Sequence, residues 1–182
     1  VLGLYLALGR PSQPDEPAAG RMAALEKRAA TAPDSLGPGD LLALLDARAK
    51  ADPSAFQPYV FKGQILAEQG RDAEAARAFA SALERAPDSP DAALGLARAL
   101  VAQEGVVSPQ ALELFKRVAV LSPHDPVPWL YQALAARQAG RLADSEPLWR
   151  ETLKRLPSDD PRHAMVTSML EELKAKPPQA GR

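Results

Sequence analysis

The chain has 182 residues, of which 18 are Pro, and it carries 22 Lys and Arg against 23 Asp and Glu, a net charge of −1. Ala and Leu make up about a third of the chain and aromatic residues only 5%, which predicts an all-α fold and excludes a β-sandwich or barrel. The balanced charge offers no footprint for nucleic acid, and the absence of Cys excludes thiol chemistry and disulfides. Because proline breaks helices, we expect many short ones.

The N-terminal region begins with an apolar run, residues 1–8. This run is shorter than the roughly 20 apolar residues that span a bilayer. It suits a buried segment, a signal-peptide remnant or the end of a truncated transmembrane helix. Residues 9–39 are rich in proline and predict a linker with a possible helix. Asp40 is the predicted N-cap of a helix that continues to Ala51 and begins a repeat domain.

Four prolines recur at a nearly constant interval. Pro53, Pro87, Pro123 and Pro157 lie 34, 36 and 34 residues apart, and a period of 34 residues is that of the tetratricopeptide helix–turn–helix repeat. We therefore predict an all-α tetratricopeptide-repeat α-solenoid over residues 40–176, with about three helical hairpins, flanking capping helices and a flexible tail at 177–182.

The repeats share an internal pattern of small and large residues. Small residues are expected to let the two helices of a hairpin approach each other, and large ones to fill the space between hairpins. The middle repeat carries two extra residues in its turn, after which Ser108 and Pro109 restart the helix. The structural repeat positions are Tyr59, Gly63, Ala75, Phe79, Ala82, Pro87, Ala97, Ala111, Phe115, Pro123, Trp129, Ala133, Gly140, Trp149 and Pro157.

A last helix is predicted to begin at Asp160 and Pro161. Its buried face is expected to carry Met165, Met169 and Leu173, which are four residues apart. A stack of repeats needs end caps with one polar face, and this helix and the one before Pro53 suit that role.

The residues that could carry chemistry are few and scattered. His124 lies in a predicted loop and His163 in the first turn of the last helix, and neither has a second ligand at metal-binding spacing. Asp159 and Asp160 are sequence neighbours and do not face each other. The sequence therefore predicts no catalytic residue, no metal site and no cofactor, so we expect a protein that is not an enzyme.

A solenoid of helical hairpins offers a concave groove lined by the first helix of each repeat. Many of the positions that face it are apolar, which usually marks a partner site and suits a bound amphipathic helix. Arg98 and Arg137 could pair with acidic residues of that ligand; alternatively, the last helix covers part of the groove. The predicted peptide-binding groove residues are Val60, Phe61, Gln64, Leu94, Arg98, Val101, Leu130, Tyr131, Leu134, Arg137 and Gln138.

Three segments carry a resemblance to a known family. They are the proline-rich segment 5–17, the lengthened turn 105–111 ahead of Phe115, and residues 138–141 followed by Trp149, Leu153 and Pro157. In this order they resemble the periplasmic tetratricopeptide domain of the CcmI/CycH family, the apocytochrome c chaperones of bacterial cytochrome c maturation.

The resemblance implies a location and partners. Residues 1–8 would be the end of a membrane helix, with the rest on the periplasmic side of the inner membrane, anchored through segments upstream. The groove would hold the C-terminal helix of apocytochrome c for other subunits of the haem ligation complex. The chain departs from the family pattern at Arg98, where an acidic residue is expected. Two alternatives stay open: a general scaffold for an inner-membrane complex, and an enzyme of unrecognised type.

Overall fold

The computed structural model describes residues 18–175. Within that range the secondary structure is helical, without strands, so the predicted all-α class is confirmed. The α-helices are α1 (Ala18–Thr31), α2 (Pro38–Ala51), α3 (Gln57–Glu68), α4 (Asp72–Arg85), α5 (Pro90–Glu104), α6 (Pro109–Leu121), α7 (Pro126–Gln138), α8 (Leu142–Arg155) and α9 (Arg162–Ala175). The chain divides into two compact units, Val1–Arg48 and Ala49–Arg182.

The first unit contains α1 and a short 3-10 turn at Pro33–Ser35, followed by α2. Helix α2 begins at Pro38, two residues before the predicted N-cap, because proline is well suited to the first helical position. Asp40 therefore lies inside the first turn, where its carboxylate accepts a hydrogen bond from the backbone N–H of Gly37 at 3.3 Å. The same carboxylate forms an ion pair with Arg28.

The second unit contains three helical hairpins, α3–α4, α5–α6 and α7–α8, each of which packs against the next. Gly70 and Gly140 follow the first helices of the outer hairpins with φ of +69° and +71°, a conformation that favours glycine. Ser89, Ser108 and Asp125 cap the N-termini of α5, α6 and α7, and each is followed by Pro at the first helical position. The predicted tetratricopeptide-repeat solenoid is thus confirmed.

One proline lies in the interior of a helix, although proline is expected to break helices. Pro147 is the sixth residue of α8. A proline there removes the hydrogen bond that the carbonyl of Ala143 would accept. Ala143 is exposed, so water can replace the missing donor.

The core of the second unit is built from small and aromatic residues at the repeat positions. Ala75, Ala82, Ala111 and Ala133 are fully buried, which allows the helices to approach closely. Phe79, Phe115 and Trp149 are almost fully buried between helices.

Three arginines near the ends of the second helices, Arg85, Arg117 and Arg155, form what we call the arginine clamps. Arg85 donates to the carbonyl of Pro53 at 2.8 Å and Arg155 to that of Pro123 at 2.6 Å. Their guanidinium groups also lie over the rings of Tyr59 and Trp129, at 4.1 and 4.3 Å from the ring centroids.

The middle clamp differs from the other two. Arg117 donates to the carbonyl of Pro87 and pairs with Asp88 at 2.9 Å. The position that matches Tyr59 is Ala93 here, so the middle clamp has an ion pair in place of a ring contact. The clamps tie the end of each hairpin to the loop that precedes it.

Helix α9 packs against α8 and closes the C-terminal end of the hairpin stack. Val166 and Leu170 are its buried residues, while Met169 and Leu173 are partly buried against the same cluster. The predicted face was therefore wrong at Met165, which is 41% exposed. The buried and partly buried residues of α9 lie three and four residues apart. Residues spaced by four throughout do not stay on one face, because a helical turn has 3.6 residues.

No helix within residues 18–175 is long and apolar enough to cross a membrane. The apolar run 1–8, the whole of the proline-rich segment 5–17 and the tail 177–182 lie outside the described residues.

Candidate peptide-binding groove

The first helices of the hairpins position the candidate site. Helix α3 contacts α5 directly, in addition to its own partner α4. Two neighbouring cavities, which we call the first and second cavity and together the groove, open along α3, α5 and α7. Val101 and Tyr131 line both cavities and therefore join them.

The first cavity has a volume of about 530 Å³, within the range of pockets that hold ligands. Several lining residues are small, among them Ala67, Gly95 and Ala102. Its walls also carry charged side chains from three helices. The lining residues are Gln64, Ala67, Glu68, Asp72, Phe79, Asp91, Leu94, Gly95, Arg98, Ala99, Val101, Ala102 and Tyr131.

The second cavity has a volume of about 440 Å³ and lies next to the lengthened turn of the middle repeat. Its lining is mostly apolar, with one guanidinium and one amide. The lining residues are Val101, Gly105, Val106, Val107, Tyr131, Leu134, Arg137 and Gln138.

Tyr131 is held in place between the two cavities by an aromatic contact. Its ring stacks on Phe115 with 4.3 Å between centroids and 5° between planes. Phe115 is fully buried, so the position of Tyr131 is set by the core. The groove therefore has a rigid aromatic wall at its centre.

Gln138 fixes the lengthened turn to α7. Its Oε1 accepts from the N–H of Val107 at 3.0 Å, and its Nε2 donates to the carbonyl of Val107 at 3.4 Å. Val107 is 8% exposed and belongs to the core cluster around Phe115. The lengthened turn of this repeat thus forms part of the wall of the second cavity.

Arg137, at the far end of the second cavity, is held by the last helix. It forms an ion pair with Glu172 at 3.5 Å, and it contacts the Sδ of Met169 at 2.7 Å. Leu130 and Leu134 pack against the cluster that contains Val166 and Leu170. Helix α9 thus packs beside the second cavity, and none of its residues lines either cavity.

Eight of the predicted groove residues line the cavities: Gln64, Leu94, Arg98, Val101, Tyr131, Leu134, Arg137 and Gln138. Three others do not. Val60 is 6% exposed and belongs to the core, Phe61 is 53% exposed, and Leu130 is partly buried near α9. The repeat register predicted that Val60 faces the groove. The prediction was wrong because part of a first helix also packs inside its own hairpin, and Val60 is buried there.

Several lining residues were missed in the sequence. Ala67, Gly95, Ala99 and Ala102 are small and gave no signal, although their spacing on α3 and α5 is helical. Asp72 and Asp91 were also missed, because they lie in the first turns of helices, where acidic residues are common for other reasons. Glu68, the last residue of α3, was missed as well. Within residues 18–175 no group of three His, Asp or Glu residues could hold a metal ion.

The hairpin architecture defines this chain as a tetratricopeptide-repeat protein. The tetratricopeptide repeat family model matches residues 56–99. Solved structures share the fold: yeast Tom70 aligns with a TM-score of 0.67 at 15% identity, covering 83% of this chain and 32% of that one. Yersinia enterocolitica SycD, solved with a peptide of the translocator YopD, aligns with a TM-score of 0.58 at 20% identity, covering 66% of this chain and 92% of that one.

The predicted resemblance to the CcmI/CycH family is confirmed by curated proteins. The chain is 30% identical over 185 residues to the cytochrome c-type biogenesis protein CycH of Rhizobium meliloti, an alignment that covers 99% of this chain and 45% of that protein. It is 28% identical over 171 residues to CycH of Bradyrhizobium diazoefficiens, covering 93% of this chain and 45% of that protein. The chain therefore spans less than half the length of these relatives.

Proposed function

We propose that this chain is a non-catalytic peptide-binding module of cytochrome c maturation, which holds the C-terminal helix of apocytochrome c for haem ligation. The observation that carries the proposal is a continuous, largely apolar groove in a chain that is similar to CycH over nearly its whole length. A groove of this kind suits an amphipathic helix with apolar anchors at i, i+3, i+4 and i+7. The proposed location is the periplasmic side of the inner membrane, anchored through upstream segments.

The test is a titration of the purified chain with a peptide from the C-terminal helix of a c-type cytochrome. A scrambled peptide of the same composition is the control. We expect saturable binding of the native peptide and at least about tenfold weaker binding of the scrambled one. Equal affinities, or no binding of either peptide, would contradict the proposal.

A blocking substitution places that binding in the groove without removing any packed side chain. Ala102 is exposed and lines the first cavity, so Ala102→Trp fills the space that the peptide needs. Ala143→Trp places the same ring at an exposed position of α8 that lines neither cavity. We expect the first variant to weaken binding about tenfold or more and the second to leave it unchanged. If both variants weaken binding equally, the peptide does not bind in the groove.

A general scaffold for an inner-membrane complex is the second candidate. It is favoured by apolar residues that line neither cavity, since Val120 is 79% and Leu121 38% exposed at the end of α6. Co-purification from membranes that lack c-type cytochromes separates the two functions. A scaffold retains its partner proteins there, whereas a chaperone of apocytochrome c loses its client.

A further inference from the structure

The charges on the wall of the first cavity are unbalanced. Glu68, Asp72 and Asp91 line it from α3, α4 and α5, and Arg98 is the cation among its lining residues. Within the part of the chain that the structure describes, these four side chains form no ion pair, although charged neighbours such as Arg71 and Glu74 do. The cavity therefore presents three carboxylates and one guanidinium above an apolar floor.

Helix electrostatics accounts for two of the carboxylates and not for the third. Asp72 and Asp91 lie in the first turns of α4 and α5, where the helix dipole favours negative charge. Glu68 is the last residue of α3, where the dipole disfavours a carboxylate. The Glu68 carboxylate lies at this wall without an ion-pair partner, and a cation of a bound ligand would stabilise its charge.

The second cavity does not restore the balance. Its guanidinium, Arg137, is paired with Glu172 of the last helix. The groove as a whole is therefore negative at the α3–α4 end and compensated at the α9 end. The earlier expectation that Arg98 and Arg137 select acidic ligands does not fit this distribution of charge.

We propose that the groove selects an amphipathic helix whose apolar face is flanked by Lys or Arg, with those side chains placed against Glu68, Asp72 and Asp91. This inference rests on the proposed function and names the chemistry of the peptide that the groove accepts. The apolar face of the ligand covers Leu94, Val101 and Tyr131, and its basic edge meets the carboxylates. Attraction across such a rim acts on partner choice and association rate and weakens with added salt.

The test uses two designed helical peptides with the same apolar face and length, one with Lys and the other with Glu at the flanking positions. Fluorescence anisotropy with the whole chain measures both affinities at low and high salt. We expect the Lys peptide to bind about tenfold or more tightly at low salt and the difference to shrink as salt is added. Glu68→Gln and Asp91→Asn should each weaken binding of the Lys peptide several-fold. Glu171→Gln, an exposed carboxylate of α9 that lines neither cavity, should not.

The outcomes separate this inference from the function on which it rests. Equal binding of both peptides, with no response to Glu68→Gln or Asp91→Asn, overturns the charge selection and leaves helix binding intact. Tighter binding of the Glu peptide also overturns it and would mean that Arg98 selects an acidic ligand. Failure of both designed peptides and of the cytochrome peptide overturns the proposed function as well. Circular dichroism of each variant establishes that the helical content is unchanged.

Discussion

At the scale of single residues, Phe79 occupies space that two glycines leave open. An added Cβ at Gly63 would lie 2.8 Å from the Phe79 ring, and one at Gly95 would lie 2.3 Å from it. These distances are shorter than any ordinary contact between carbon atoms. The two glycines on α3 and α5 are therefore required for α4 to pack between them.

We predict that Gly95→Ala destabilises the protein. The overlap with Phe79 costs about 1–3 kcal/mol, which exceeds the gain in helix propensity of at most about 1 kcal/mol. Urea denaturation measures the change in the free energy of unfolding. Gly20→Ala is the control, because no atom lies within 4 Å of its added Cβ. In a Phe79→Leu background the loss should shrink; an unchanged loss would mean that the ring is not its cause.

The pKa of Asp160 depends on hydrogen bonds that the folded chain provides. Hydrogen bonds from the Arg162 side chain, at 2.9 Å and 2.6 Å, and from its backbone N–H lower the pKa of Asp160 from 3.8 to about 2. A carboxyl with a lowered pKa in the folded state contributes stability above its unfolded pKa and loses it as pH falls through the folded value.

We therefore expect Asp160 to contribute to a loss of stability between about pH 4 and pH 2. The Asp160→Asn variant should be less stable than the parent at neutral pH. Its stability should also depend less on pH across that range. The measurement is the urea midpoint of both proteins at a series of pH values. The control is Asp159→Asn, at the exposed neighbour, whose urea midpoint should depend on pH as in the parent. An equally reduced pH dependence in both variants would contradict the attribution to Asp160.

At the scale of elements, the arginine clamps connect each hairpin to the loop before it. We predict that Arg155→Ala lowers the free energy of unfolding by about 1.5–3 kcal/mol, because a charged hydrogen bond to Pro123 and the contact with Trp129 are lost. Arg150→Ala on the same helix removes an exposed pair with Glu146 and should cost at most about 0.5 kcal/mol. Equal losses in denaturation would show that the clamp adds nothing.

The lengthened turn of the middle repeat depends on one amide. We predict that Gln138→Ala speeds hydrogen exchange at the N–H of Val107 about tenfold, because that N–H loses its acceptor. Gln103→Ala, at an exposed position near the same turn, should leave the rate unchanged. An unchanged rate in Gln138→Ala would mean that burial of Val107 alone holds the turn.

At the scale of the whole hairpin stack, α9 takes the place of a further repeat. Fully buried Val166 and nearly buried Leu170 cover the cluster around Trp149. We predict that Leu170→Ala costs about 2–3 kcal/mol, whereas Met165→Ala, at a position 41% exposed, costs under about 1 kcal/mol. Denaturation of both variants decides whether the buried face of α9 is the one described.

The order and ends of the hairpins were predictable because they depend on local chemistry. Proline spacing, Gly70 and Gly140 with positive φ, and the caps at Ser108 and Ser89 act within one turn of chain. Asp40 was predicted as the N-cap of α2, whereas the helix already begins at Pro38, and Pro147 lies inside a helix. Proline is well suited to the first helical position, which explains the start at Pro38. Pro147 is tolerated inside α8 because Ala143, whose carbonyl loses its donor, is exposed.

The sequence by itself determined the fold class, the number of hairpins and the resemblance to CycH, because a repeat imposes the same local pattern several times. Only the tertiary structure decided which groove positions are open. It buried Val60, engaged Gln138 and Arg137 in contacts with the turn and with α9, and brought Glu68, Asp72 and Asp91 to one wall. These residues lie on different helices, and the charge of a groove depends on distances that no single stretch of sequence contains.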